Sequence, residues 1–367
     1  MNLSIAAQQG FPNQMLKLVI QPSQGSVISC LQLLGFLQVP AVPELWFCIV
    51  PAGQVVAYLD QLGHLVPESA QQASRLLMTY NDIDAGKLLR EFLKAQPLQE
   101  VTCLVKHGWF LSVLSKQAIF FHYQPILDLS TRQVVAYECL ARANNGEGKH
   151  PWNGQQLVDA AQATHLIYAF DEMARRQCLY EIAAFLPHLP PPRNQRFFIN
   201  VLPNALVQNP RSIEQNLIQM MDLGLKPSQI VFELTEIESV EVTPDLIAVL
   251  QFMREWGCSL AVDDWGSDVA LRNYCLEIQP DIIKLDRAMI TGCGSQPLRQ
   301  LLLKSLVNAA HDSGIIVLAE GIEVLEDLSF CSEIGVDLAQ GFLFAQPELN
   351  LRREGIWQPD WKLALVS

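Results

Sequence analysis

Basic residues are scarce in this chain: 25 Lys and Arg stand against 38 Asp and Glu in 367 residues, a formal net charge of −13. No block of Lys and Arg occurs. That excludes broad electrostatic attraction to a nucleic-acid polymer or an anionic membrane, and a small anionic ligand would need a local cation. Long apolar runs are also missing. The most apolar early stretch, CLQLLGFLQVPAVPELWFCIV, is interrupted by Gln32, Gln38, Pro40, Pro43 and Glu44, so membrane insertion is not expected. The opening MNLSIAAQQG lacks the basic residues of a signal peptide. The nine cysteines contain no CxxC pair and read as reduced, mostly buried thiols, which points to a cytoplasmic protein. The seven histidines include no HxxxH or HExxH spacing; His122, His165 and His311 read as helix or core-edge residues.

What is present is apolar material in short runs. Half of the residues are hydrophobic, and the length suits two domains, or one barrel-sized domain with an appendage. From Tyr123 onward short apolar runs alternate with helical stretches. RFFINV (196–201) precedes a helix near 211–223, and QIVFELTE (229–236) precedes a helix opened by Thr243 and Pro244 and stopped at Gly257. SLAVDDWG (259–266), DIIKLD (281–286), IIVLAEGIE (315–323) and DLAQGFLF (337–344) continue the series. Seven or so βα units over about 240 residues fit a parallel barrel better than an open sheet. Residues 1–112 follow another pattern and predict a smaller N-terminal α/β or helical module. A strand is expected at 45–52 and helices at 68–80 and 83–94; residues 113–367 form the barrel domain.

The apolar runs end in polar residues. VVAYECLAR supplies Glu138 and Arg142, FFIN Asn200, IVFELTE Glu233 and Glu236, and LAVDDWG Asp263 and Asp264. IIKLD supplies Lys284 and Asp286, IIVLAEGIE Glu320 and Glu323, and LAQGF Gln340. The strand C-termini of a parallel barrel converge on one mouth, so these side chains are expected in one cleft. Any single acid at a strand end is more often a helix cap or a surface charge; recurrence over six consecutive runs is what that explanation lacks. Crowded carboxylates hold protons or bind cations. A donor set of oxygens without Cys or His suits Mg²⁺, Mn²⁺ or Ca²⁺. Adjacent Asp263 and Asp264 could serve two ions roughly 3.5–4 Å apart, an arrangement used for in-line attack on phosphorus.

In this order the segments resemble the EAL family of cyclic di-GMP phosphodiesterases over about residues 118–348. The likeness rests on YQPILDL, YECLAR, FIN, FELTE, VDDWG, IKLD, LAEGIE and AQGFLFAQP. It implies a modified TIM (β/α)8-type barrel with an antiparallel first strand, and metal-dependent hydrolysis of cyclic di-GMP to linear pGpG. Carried over by position, it implies that Glu138, Asn200, Glu233 and Asp263 hold one Mg²⁺ or Mn²⁺ ion and Asp263, Asp264 and Glu320 a second. Calcium would occupy the site and inhibit. Glu138, Lys284 and Glu320 would be catalytic, with Lys284 orienting or activating water. Gln124, Leu140, Arg142, Asp286, Glu323 and Gln340 would contact the nucleotide, and Glu236 would anchor the following loop. Cys139 replaces the alanine of the name-giving motif, Leu202 replaces a serine, and WGSDVALRNYCL replaces a glycine-rich loop linked to dimerisation, which leaves a family-type homodimer open. A cyclic di-GMP-binding effector without turnover and a protein-interaction scaffold are the alternative readings. Such proteins commonly lose a metal position, and none is lost here.

Overall fold

The computed structural model describes residues 14–40, 42–81, 85–146, 150–188, 194–235, 241–265 and 277–349. Glu236 and the segment 266–276 lie outside these residues, and Asp264 is described through its backbone alone. The chain divides into two compact units. One comprises residues up to Ser115 with Asp159–Leu166; the other comprises Lys116–Val158 and the chain from Ile167. Among the described residues no helix is long and apolar enough to cross a membrane.

The first unit is built on a five-stranded antiparallel sheet in the order β2-β3-β1-β4-β5, from β1 (Met15–Gln21), β2 (Leu37–Val39), β3 (Val42–Pro51), β4 (Arg75–Thr79) and β5 (Gln96–Pro97). The expected helix at 68–80 is corrected: it stops at Ala73, and RLLMT forms β4 against β1, with Leu18 opposite Met78. Strand pairing overrides the local helical appearance here because β1 has apolar side chains on both faces. Leu16, Leu18 and Ile20 enter one core cluster, and Val19 joins Leu45 and Leu77 in another.

The second unit is a closed barrel of eight strands, in the order β10-β11-β12-β13-β6-β7-β8-β9. These are β6 (Ile119–Asp128), β7 (Gln133–Ala143), β8 (Arg196–Val201), β9 (Ile230–Leu234), β10 (Ser259–Trp265), β11 (Ile282–Leu285), β12 (Ile316–Ala319) and β13 (Leu338–Ala339). β6 runs antiparallel to both of its neighbours, and β7 through β13 pair in parallel. β13 is far shorter than the expected run. Gly341 follows it so closely packed that a Cβ there would collide with the Ile322 backbone, and Ile322 N–H donates to the Gln340 carbonyl. The helix Pro244–Glu255 starts as expected: Thr243 Oγ1 accepts from Leu246 N–H at 3.2 Å.

One residue from each barrel strand joins an apolar layer that closes the interior: Ile126, Ala136, Phe198, Val231, Ala261, Ile282, Leu318 and Leu338. Side chains on one strand face repeat every second residue. The next inward position is therefore Gln124 on antiparallel β6, and Glu138, Asn200, Glu233, Asp263, Lys284, Glu320 and Gln340 on the other strands. A layer of polar side chains sits directly on a layer of hydrocarbon.

Candidate active site at the barrel mouth

Lys284 is the centre of this polar layer and is 1% exposed. Its Nζ lies 2.5 Å from Glu320, 2.6 Å from Glu233, 3.2 Å from Asp263 and 3.8 Å from Glu138. Side chains spread over residues 138–320 thus meet within one ion's reach. Burial alone would lower the Lys284 pKa, but the Asp263, Glu138, Glu233 and Glu320 carboxylates outweigh it and hold the ammonium protonated. Burial raises Glu233, with Lys284 opposing and the neighbouring carboxylates adding to the rise. Burial likewise lifts Glu320, to about 8, against the pull of Lys284. One ammonium does not balance four carboxylates, so protons are retained.

Gln340 and Gln124, both buried, form a chain behind Glu138. Gln340 Nε2 donates to Glu138 Oε2 and to Gln124 Oε1 at 2.9 Å, and Gln124 Nε2 donates to the Ala345 carbonyl at 3.2 Å. The remaining positions are more peripheral. Leu140 and Asn200 line a cavity of about 300 Å³ together with Glu138 and Asp263. Arg142 donates from Nη1 to the Ala141 carbonyl at 2.8 Å. Asp286 caps the helix Arg287–Ile290 by accepting from Ala288 N–H at 2.7 Å. Glu323 pairs with Arg287 Nη2 at 2.8 Å. Sequence reasoning missed Arg287, although it directly follows the IKLD motif. It also missed Asp171 and Arg175, whose only sequence signal is an acid and a base one helical turn apart.

Burial, and then the nearby Arg142 cation, lower the pKa of His122 on β6 from its ordinary 6.5. A lowered folded-state pKa means that the neutral ring contributes stability above the unfolded value, and that this contribution is lost as pH falls through the folded value. An NMR titration is expected to place the His122 midpoint below 6.5, and His122→Phe to flatten the fall in Tm on the acid side of 6.5. A midpoint at or above the ordinary value would remove His122 from this role.

Whether a metal ion suits the site is decided by its donors. Glu233 Oε2 is buried without a hydrogen-bond partner, Asp263 Oδ1 has the Lys284 ammonium beside it at 3.2 Å, and the converging groups are oxygen donors of excess negative charge. Hard divalent cations fit such a set. Among the described residues no three His, Cys, Asp or Glu side chains are spaced as a ready cage, and the Lys284 ammonium stands among the carboxylates.

A closed eight-stranded barrel with an inverted first strand and a lysine ringed by acids at its mouth defines a class of barrel protein with a charged, oxygen-rich site. The chain belongs to the EAL family: the EAL domain model matches residues 109–347. It is 29% identical over 235 residues, 62% of this chain and 56% of the relative, to cyclic di-GMP phosphodiesterase RocR of Pseudomonas aeruginosa. A standalone versatile EAL protein from Vibrio cholerae O395, in a c-di-GMP bound form, is 27% identical with a TM-score of 0.56, covering 66% of this chain and 97% of that one. A BlrP1 calcium/cyclic di-GMP complex from Klebsiella pneumoniae shares the fold at 19% identity, with a TM-score of 0.57 over 92% of this chain and 98% of that one. The matches span 27% to 56% of the lengths of curated relatives such as these.

Proposed function

We propose that this chain hydrolyses cyclic di-GMP to linear pGpG with Mg²⁺ or Mn²⁺ in the barrel mouth. The observation that carries the reading is the convergence of Glu138, Glu233, Asp263 and Glu320 on Lys284 in a member of the EAL family. Relatives named as cyclic di-GMP phosphodiesterases, including RocR, support the substrate. Glu138, Asn200, Glu233, Asp263, Asp264 and Glu320 would hold the divalent ions, which when bound supply positive charge to an anionic phosphodiester and acidify water.

The chain's own residues perform the rest. The protonated Lys284 offers N–H donors held in one place by buried acids, which orients the attacking water and steadies charge growing on phosphorus. Glu320, ionised once positive charge occupies the mouth, would accept the proton from that water as the new P–O bond forms; the P–O bond to the ribose oxygen breaks and that oxygen takes up a proton from solvent. Gln340 and Gln124 fix the rotamer of Glu138. Leu140, which lines the cavity, would give the base an apolar wall, and Arg142 would supply a cation for a phosphate.

The test is to incubate purified protein with cyclic di-GMP and Mg²⁺ or Mn²⁺, with an EDTA control, and to follow linear product by chromatography. Product only with metal, and its loss in Glu138→Ala, is the expected result. Tight binding without turnover would make the protein a cyclic di-GMP effector, and neither binding nor turnover would leave an interaction module. Near-normal turnover in Glu138→Ala would free that residue from its role.

A further inference from the structure

A buried ion pair beside the site has no part in the chemistry above. Asp171 and Arg175 lie one turn apart on the helix Ile167–Phe185 and pair with each other, 6% and 1% exposed. Arg175 Nε donates to Asn216 Oδ1 and Nη2 to Ser212 Oγ, each at 3.0 Å, on the helix Pro210–Asp222. Burial lowers the Arg175 pKa to about 10, which leaves it charged at neutral pH. On its other side Asp171 Oδ1 accepts from Leu202 N–H at 3.0 Å.

That last bond has a clear position in the fold. Pairing of β7 with β8 ends at Cys139 and Ile199, so beyond it the chain leaving β8 is paired on its β9 side alone and lacks a strand partner on the β7 side. A buried N–H without an acceptor is costly, and Asp171 provides one. Leu202 is two residues beyond Asn200, and Asp171, Arg175, Leu202 and Asn200 line the same cavity as Glu138 and Asp263. Replacing a buried pair by apolar residues of similar volume is often neutral or stabilising, so the pair is weak evidence of a stability role.

We infer that the Asp171–Arg175 pair is a positioning device: it anchors the end of β8 to two helices and thereby sets Asn200 in the site. The link from Asn200 to a divalent ion rests on the function proposed above; the anchoring of β8 does not. The test compares the amide variant Asp171→Asn/Arg175→Gln, which keeps an acceptor for Leu202 N–H and strands no buried charge, with the double variant Asp171→Leu/Arg175→Met, which replaces the pair by hydrocarbon. Leu202→Pro deletes the donor, together with the leucine side chain, at a residue whose φ of −87° lies close to the proline range, and serves if the double variant does not fold.

Mn²⁺ affinity is read from free Mn²⁺ by electron paramagnetic resonance, without substrate. Amide exchange is read at Leu202 and at Thr235, whose N–H donates to the Val201 carbonyl at 3.2 Å. The double variant and Leu202→Pro are expected to weaken Mn²⁺ binding roughly 10–100-fold, as loss of a ligand-orienting group does. Both are expected to speed exchange at the β8 end, at Thr235 in the proline variant, while the amide variant stays closer to wild type. Faster exchange with unchanged Mn²⁺ affinity, or an amide variant as impaired as the apolar double, would overturn the inference. If wild-type protein binds no Mn²⁺, it is the metal reading that fails, and exchange alone decides whether the pair anchors β8.

Discussion

Lys284→Met is expected to lower turnover of cyclic di-GMP by about 10²–10⁴-fold, the range for losing a positioned group that works on a proton in the transition state. Methionine keeps most of the lysine stem's volume, so the barrel layer stays packed while the ammonium is lost. In chelator the variant is also expected to melt below wild type, because breaking a buried ion pair leaves charge uncompensated at about 3–5 kcal/mol. Retained protons on Glu233 and Glu320 reduce that loss, since burial already lifts both. Excess Mg²⁺ is expected to narrow the gap in Tm, because an ion that binds only the folded state stabilises it by mass action, yet not to restore turnover. Steady-state kinetics and thermal melts with Mg²⁺ and with EDTA read both effects. A variant turning over near the wild-type rate would place the essential donor elsewhere.

Exchanging the ion is expected to separate binding from cleavage. Calcium alone should support cyclic di-GMP binding in calorimetry while linear product falls to the level of the EDTA control. The physical reason lies in the shells the ions demand: Ca²⁺ takes six to eight oxygens at about 2.3–2.6 Å in loose geometry, whereas Mg²⁺ holds a near-octahedral shell at about 2.0–2.1 Å. The carboxylates gathered around Lys284 satisfy either ion's charge, but only the tighter shell aligns water and phosphorus for in-line attack. Adding Mg²⁺ or Mn²⁺ back to chelated protein should recover the activity. Sustained product formation in calcium would contradict the assignment of these acids to an octahedral ion.

Much of this site was legible because a strand repeats every second residue. The runs ending in Glu138, Asn200, Glu233, Asp263, Lys284 and Glu320 each pass from hydrocarbon to polar in the step that separates two layers of the barrel, so the pattern is written locally. The N-terminal unit was less readable. RLLMT reads equally well as the end of a helix, and only its pairing with β1 makes it a strand. Gln124 and Gln340 read as groups that touch substrate; that they are also hydrogen-bonded in series to Glu138 is visible only in the fold. Glu236 and the altered segment after Trp265 lie outside the described residues.

The order of apolar runs and their polar endings fixed the barrel and the membership of its mouth, since periodicity and strand direction are properties of neighbouring residues. The tertiary structure alone decided that Lys284 stands among four acids, that two glutamines brace Glu138, and that Asp171 reaches the amide beyond β8. Those contacts join residues far apart in the chain, and no local pattern encodes the distance between them. They arise only when the sheet closes and brings the eight strand ends around one axis.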